Sequence, residues 1–237
     1  MFHLMSPDAG LLMAILSVVA LSGCQHPSLA GGQRWFETSQ YSAVPIEYSA
    51  APIHGRVVDA TTGQPLSGVA VAVTWDLIGG PTGAHVRWLM LAETVTDEKG
   101  EYDFPAWGPV RRPRNTALLA DQPWLLLFKA GYMPTHRANE HGGIGSVRMS
   151  YWHGRDLPMP PVAGPKKEEW IQFTGFESSL TWQFFRSCDW EKLPHLLRVV
   201  LHESDRVLGV GSLRASWTAD AKAHSCRPLA DVLGEAP

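Results

Sequence analysis

His202-Glu203-Ser204-Asp205-Arg206 opens like the helix of a zinc peptidase, in which two histidines four residues apart grip the metal. Arg206 stands where the second histidine is required, so this segment offers no zinc pair. His136, His141 and His153, with Glu140 and Asp156 nearby, bring imidazole and carboxylate groups into one Gly-rich region. Their spacing is irregular, and a solvated loop is the expectation; no metal and no other cofactor is assigned. Gly209-Val210-Gly211-Ser212 lacks the trailing glycine and the strand–turn–helix setting of a nucleophile elbow. Neither a phosphate loop nor a complete dinucleotide fingerprint occurs. No catalytic residue is expected.

The cysteines carry more definite chemistry. Leu11 to Leu21, apolar apart from Ser17, is about half the roughly 20 residues that a membrane-crossing helix needs, which fits a signal-peptide core. It ends in Leu21-Ser22-Gly23-Cys24, which resembles the lipobox of bacterial lipoproteins. That resemblance implies diacylglyceryl attachment to the Cys24 sulfur, cleavage before it and acylation of the new amino group. Multiple acyl chains anchor firmly where one is marginal. Gln25 rather than Asp after the cysteine resembles lipoproteins sorted to the outer membrane, so the expected location is its periplasmic face. Cys188 and Cys226 remain as a pair that an oxidising periplasm would bond; the alternative is two buried thiols.

Ten tryptophans are the most unusual compositional feature. Trp75 and Trp124 fall on expected strands and read as core. Trp88, Trp107 and Trp152 lie near strand ends or loops, where an exposed aromatic face could stack on a sugar ring; the competing reading is that they fill the ends of the fold.

The elements that must position these groups are mostly strands. Val69 to Trp75 alternates, with Val69, Val71, Val73 and Trp75 on one face and Ala70, Ala72 and Thr74 on the other. Ile53 to Asp59, Val86 to Thr96 and Trp124 to Phe128 read as further strands. Asp97-Glu98-Lys99-Gly100, followed by Tyr102 and Phe104, predicts a hairpin turn. Asp76 to His85 and Pro109 to Arg114 read as additions at one edge or end. Val147 to Trp152 is a candidate strand, and Lys166 to Trp182 fits either a helix or a strand. Pro194 to Leu208 carries Leu197, Val200, Leu201, Ser204 and Leu208 at helical spacing, which predicts one amphipathic docking helix.

Gly55-x-Val57-x-Asp59, Thr62-Gly63-x-Pro65-Leu66-x-Gly68-Val69, Thr96-Asp97-x-x-Gly100-x-Tyr102-x-Phe104 and Gly131-Tyr132 occur in that order. The series resembles the carboxypeptidase regulatory-like family, whose fold is a transthyretin-like (prealbumin-like) sandwich, and covers about residues 52 to 135. The resemblance implies a spacer or accessory module without catalytic residues. The type VI secretion lipoprotein, also a transthyretin-like sandwich, is a weaker analogy.

The expected fold class is therefore mainly β: a transthyretin-like β-sandwich with a C-terminal helical extension. Residues 1–23 read as a lipoprotein signal peptide, 24–51 as a tether, 52–165 as the sandwich and 166–237 as the extension. With 45% hydrophobic residues the chain of 237 can bury a full core. A formal net charge of −3 without a basic block excludes nucleic acid as an expected partner. The expected function is a non-catalytic accessory or scaffolding lipoprotein of the bacterial envelope. Its expected partners are the membrane, through Cys24, and an envelope protein or peptidoglycan. A glycan- or peptidoglycan-binding module using surface tryptophans is the alternative.

Overall fold

The alternating segment around Val71 sits at the centre of the molecule because both of its faces are apolar. In the computed structural model, which describes residues 44–80, 84–118, 122–138, 154–162, 188–207 and 211–235, it lies in strand β3 (Ala70–Gly79). Around it run β1 (Glu47–Ala50), β2 (Ile53–Asp59), β4 (Ala84–Val95), β5 (Glu101–Phe104) and β6 (Trp107–Arg111). They are followed by β7 (Thr116–Leu118), β8 (Trp124–Phe128), β9 (Thr135–Ala138) and β10 (Asp156–Met159). One sheet has the order β4-β3-β8-β9, with β7 against the far end of β3; the other has the order β10-β2-β5. β10 lies parallel to β2, and the remaining ladders are antiparallel. β1 and β6 form a separate two-stranded ribbon.

The two faces of β3 feed two cores. Val71, Val73, Trp75 and Leu77 join Leu125 and Leu127 of β8, and pack on Ile53, Val57, Tyr102, Phe104 and Met159 of the other sheet. That is the dry interior of a β-sandwich. Ala70 and Ala72 point the opposite way, beside Leu126, Phe128, Trp88 and Leu91, and meet a third layer of helices. Small side chains on β3 let that layer approach closely. The fold is thus mainly β, a sandwich with a C-terminal helical extension.

The helical layer holds α1 (Pro194–Val207), α2 (Ser212–Ala223) and α3 (Leu229–Leu233), where one helix was expected. α2 buries Leu213, Trp217 and Ala221, a four-residue repeat separated by polar residues that dilute the pattern. α1 starts on a proline, with no capping side chain of its own just before it. Instead Glu93 of β4 accepts hydrogen bonds from the His195 N–H (2.7 Å) and the Leu196 N–H (2.9 Å). A carboxylate there satisfies two orphan donors and faces the positive end of the helix dipole. The Cys188–Cys226 disulfide, with its Cα atoms 5.3 Å apart, closes the other side of the layer around the fully buried Trp190.

Other sequence expectations are corrected. The Asp97–Gly100 turn forms, with the Asp97 carboxylate accepting from the Lys99 and Glu101 N–H groups, but it does not close a hairpin. β4 pairs with β3 and β5 pairs with β2, so the turn carries the chain from one sheet to the other. Asp76 to His85 is largely strand, because β3 continues to Gly79 and buries Leu77 against Leu118 of β7. The stretch read as a tether, with aromatics including Tyr48 able to pack on the domain, becomes a strand at Glu47, where β1 begins: Tyr48 and Ala50 are buried, and β6 supplies their ladder partners. The sandwich's last strand among the described residues is β10. Val147 to Trp152 and Lys166 to Trp182 lie outside those residues.

Two stability outcomes follow. Replacing Glu93 with Ala should cost about 1–2 kcal/mol in denaturant unfolding, as loss of a charged helix cap does, with Gln recovering part. Removing the disulfide by Cys188→Ala/Cys226→Ala, which opens a sequence separation of 38 residues, should cost about 4 kcal/mol in the chain-entropy model.

Candidate functional site

Asp59, Thr62, Thr96, Gly100 and Tyr132, five of the residues that carry the family resemblance, serve the turns and crossings of the sandwich. The Thr96 hydroxyl donates to the Leu66 carbonyl (2.6 Å) and accepts from the Val69 N–H (2.9 Å). Gly68 and Thr96 exchange further backbone bonds with the same segment. Gly100 takes φ +74, and a Cβ there would stand 2.5 Å from the Val57 carbonyl oxygen, so only glycine fits. Asp59 ends β2 and holds the following turn, its Oδ1 accepting from the Thr61 (2.7 Å) and Thr62 (2.8 Å) N–H groups. Its Oδ2 accepts from the Tyr132 hydroxyl (2.9 Å), which ties β2 to the connection between β8 and β9. The Thr62 N–H and the Tyr132 hydroxyl hold the Asp59 carboxyl below the usual carboxylate range, and the same bond pushes the Tyr132 hydroxyl up. These side chains latch the two sheets together.

An open cleft of about 430 Å³ lies on the outward face of the three-stranded sheet. Its lining follows from strand alternation: His54 and Arg56 project from β2, Glu101 and Asp103 from β5, and Asp156 from β10, beside Arg155. Register sets Asp156, Arg56 and Glu101 in one row, and His54 opposite Asp103. Arg56 grips Asp156 through two bonds of 2.9 and 2.6 Å, which hold the Asp156 carboxyl down and the guanidinium up. Both side chains are close to half exposed, so solvent screens the pair. The result is a mixed-charge surface of acid, base and acid columns, suited to polar or zwitterionic contacts. Its signal in the sequence is the alternate polar positions of β2 and β5.

Of the tryptophans expected near strand ends, Trp88 departs from the sugar-stacking expectation. Trp88 is 3% exposed and belongs to the core beneath the helices. A bulge at Leu89, between the Trp75–Met90 and Asp76–Trp88 pairs, turns Trp88 and Leu91 to the same face. Trp107 is half-buried and meets Trp75 edge-on, with ring centroids 5.0 Å apart at 81°. Trp88 therefore presents no open aromatic face, while Trp107 stays partly exposed. Trp152 lies outside the described residues, as does Cys24.

Of the histidine region, His136 sits exposed on β9, while His141, His153 and Glu140 lie outside the described residues. Among the described residues, no group of three or more His, Cys, Asp or Glu converges as a metal site would. In α1, His202 is exposed and Glu203 is buried, paired with Arg206 at 2.6 and 3.0 Å. The residue that replaces the second zinc histidine is therefore the partner of the buried carboxylate. Cys188 and Cys226 are joined, as the pairing expectation held.

Among known proteins, the chain matches no family model and no curated sequence. Among solved structures it is similar to 3-chlorocatechol 1,2-dioxygenase from Rhodococcus opacus 1CP. The likeness is 16% identity over 51% of this chain, with a TM-score of 0.30. The match spans 62% of that enzyme's chain, and at this score it bears on neither fold nor activity.

The Asp59 latch has a pH signature. Because folding lowers the Asp59 pKa, its contribution is present above the unfolded value of about 3.9 and disappears as pH falls through the folded one. The thermal midpoint of the wild type should therefore fall more steeply below about pH 4 than that of Asp59→Asn. At neutral pH, Tyr132→Phe should cost about 1 kcal/mol, the size of one hydrogen bond, in denaturant melts.

Proposed function

We propose that this protein is a non-catalytic accessory or scaffolding lipoprotein of a bacterial envelope. Acyl chains on Cys24 hold it at the periplasmic face of the outer membrane, and its sandwich is of the carboxypeptidase regulatory-like, transthyretin-like kind. The observation that carries the reading is where the motif side chains are used. Asp59, Thr62, Thr96 and Tyr132 all hydrogen-bond to turns or across the sheets, which is what a spacer domain requires of them. The Cys188–Cys226 bond supports an oxidising compartment, where such bonds form and persist. The lipobox-like Leu21-Ser22-Gly23-Cys24 supplies the anchor.

Labelling with a fatty-acid analogue in a bacterial host tests the anchor. The wild type should take up label and fractionate with membranes, and Cys24→Ala should do neither; equal labelling of the two would refute the lipoprotein reading. Incubation with purified sacculi tests the partner class. Scaffolding through protein contacts predicts no retention, whereas retention would move the reading to peptidoglycan.

A further inference from the structure

We propose that the end of the sandwich where the chain arrives from Cys24 is a docking surface for anionic lipid headgroups. The inference rests on the lipoprotein reading, which brings this end to a membrane.

Three arginines lie together there and divide into two roles. Arg112 is 8% exposed and faces inward to the backbone. Its guanidinium donates to the carbonyls of Pro45 (2.6 Å), Val44 (3.2 Å) and Pro113 (3.3 Å), and its N–H donates to the Ile46 carbonyl (2.9 Å). This clamp fixes residues 44–46 alongside β6. Arg111 and Arg114, on either side, are exposed. Glu47, the ladder partner of Arg111, is the acidic residue in β1, so the cluster keeps an excess of positive charge.

Beside Arg112 stands Ile46, whose carbonyl accepts from the Arg112 N–H; it is 56% exposed and one of two exposed large hydrophobics among the described residues, with exposed Pro45 before it. An exposed apolar side chain on the segment paired with exposed arginines matches the headgroup boundary, where guanidinium groups pair with phosphate and the apolar group enters the acyl edge. Location strengthens the match. The 20 residues from Cys24 to Val44 can span at most about 70 Å at ~3.5 Å per residue, so an acyl anchor keeps this patch at high local concentration near the bilayer. A weak contact then suffices to orient the domain.

The test uses the full chain carrying Cys24→Ala, so that acyl chains do not contribute, in sedimentation with phospholipid vesicles. Phosphatidylcholine vesicles containing about one third phosphatidylglycerol should bind it more tightly than pure phosphatidylcholine. About 0.5 M salt should remove the difference, since screening then acts within a few ångströms. Each arginine near such a surface is worth about fivefold in partition, so Arg111→Gln/Arg114→Gln should weaken binding about 25-fold. Arg111→Glu/Arg114→Glu should weaken it further.

Lys99→Glu/Lys222→Glu reverses two exposed charges elsewhere, one on the Asp97–Gly100 turn at the other end of the β2–β5 ladder and one on α2. Binding should survive in that variant. Thermal midpoints and an intact Cys188–Cys226 bond establish that each variant is folded. Equal binding by the wild type and the Arg111/Arg114 variants overturns the proposal. So does equal binding to neutral vesicles, or an equal loss in the Lys99/Lys222 variant. Any of these results leaves the fatty-acid labelling to judge the anchor by itself, and failure of the labelling leaves the vesicle result to stand on its own.

Discussion

One strand, apolar on both faces, governs the rest of this molecule. A strand that faces water needs only one apolar side, and its sheet can then close a two-layer sandwich. β3 has no such side. Val71, Val73 and Trp75 fill the space between the sheets, while Ala70 and Ala72 need a second cover, which only the helices from the C-terminal part provide among the described residues. The alanines set the spacing: larger residues would push the helices off Leu126, Phe128 and Trp88. Glu93 adds direction to this non-directional burial, because its carboxylate accepts from the first turn of α1 and fixes which end of the helix meets β4.

The polar residues that draw the eye in the sequence answer a second demand. A sandwich end is a place where strands stop and backbone groups lose their ladder partners, and each such group buried without a partner costs free energy. Thr96 meets two of them at once, and Asp59 meets the Thr61 and Thr62 N–H groups while holding Tyr132. Gly100 meets the same demand by having no side chain, which lets the Val57 carbonyl approach. The polar and glycine positions of the motif at Asp59, Thr62, Thr96 and Gly100 are thereby accounted for by turn and hydrogen-bond geometry, while Val57, Val69, Tyr102 and Phe104 fill the core.

What could be read in the sequence was local, and what could not be read was not. Val69 to Trp75 and Trp124 to Phe128 show strand period and β-rich composition within a few residues, and both are strands. Gly100 was recognised as a turn glycine, but the sheet that Tyr102 would join depends on Arg56 and Gly55, more than 40 residues away, which no local pattern encodes. Tyr48 reads as a tether aromatic able to pack on the domain, but that it does so as a strand depends on β6. Trp88 looked like a strand-end aromatic because the bulge at Leu89 changes its face without changing its neighbours in sequence. The cleft escaped notice for the same reason: Asp156, Arg56 and Glu101 form a row only once β10 has come in parallel to β2.

The double-faced strand also decides how the chain divides. Residues 52–165 read in sequence as a domain and 166–237 as an attachment to it. Taken alone, such a domain would show water a patch containing Ala70, Ala72, Trp88, Leu91, Leu126 and Phe128, all of them less than 5% exposed in the folded chain. Contiguous apolar surface of that kind drives association or misfolding unless it is covered. Glu93 ties the start of α1 to β4, and Cys188–Cys226 ties the turn before α1 to the segment after α2 within the helical layer. Sandwich and helices therefore share one of the two cores. The disulfide then does more than trim the entropy of a surface loop, because by holding Trp190 and the helices in place it keeps the second face of β3 dry.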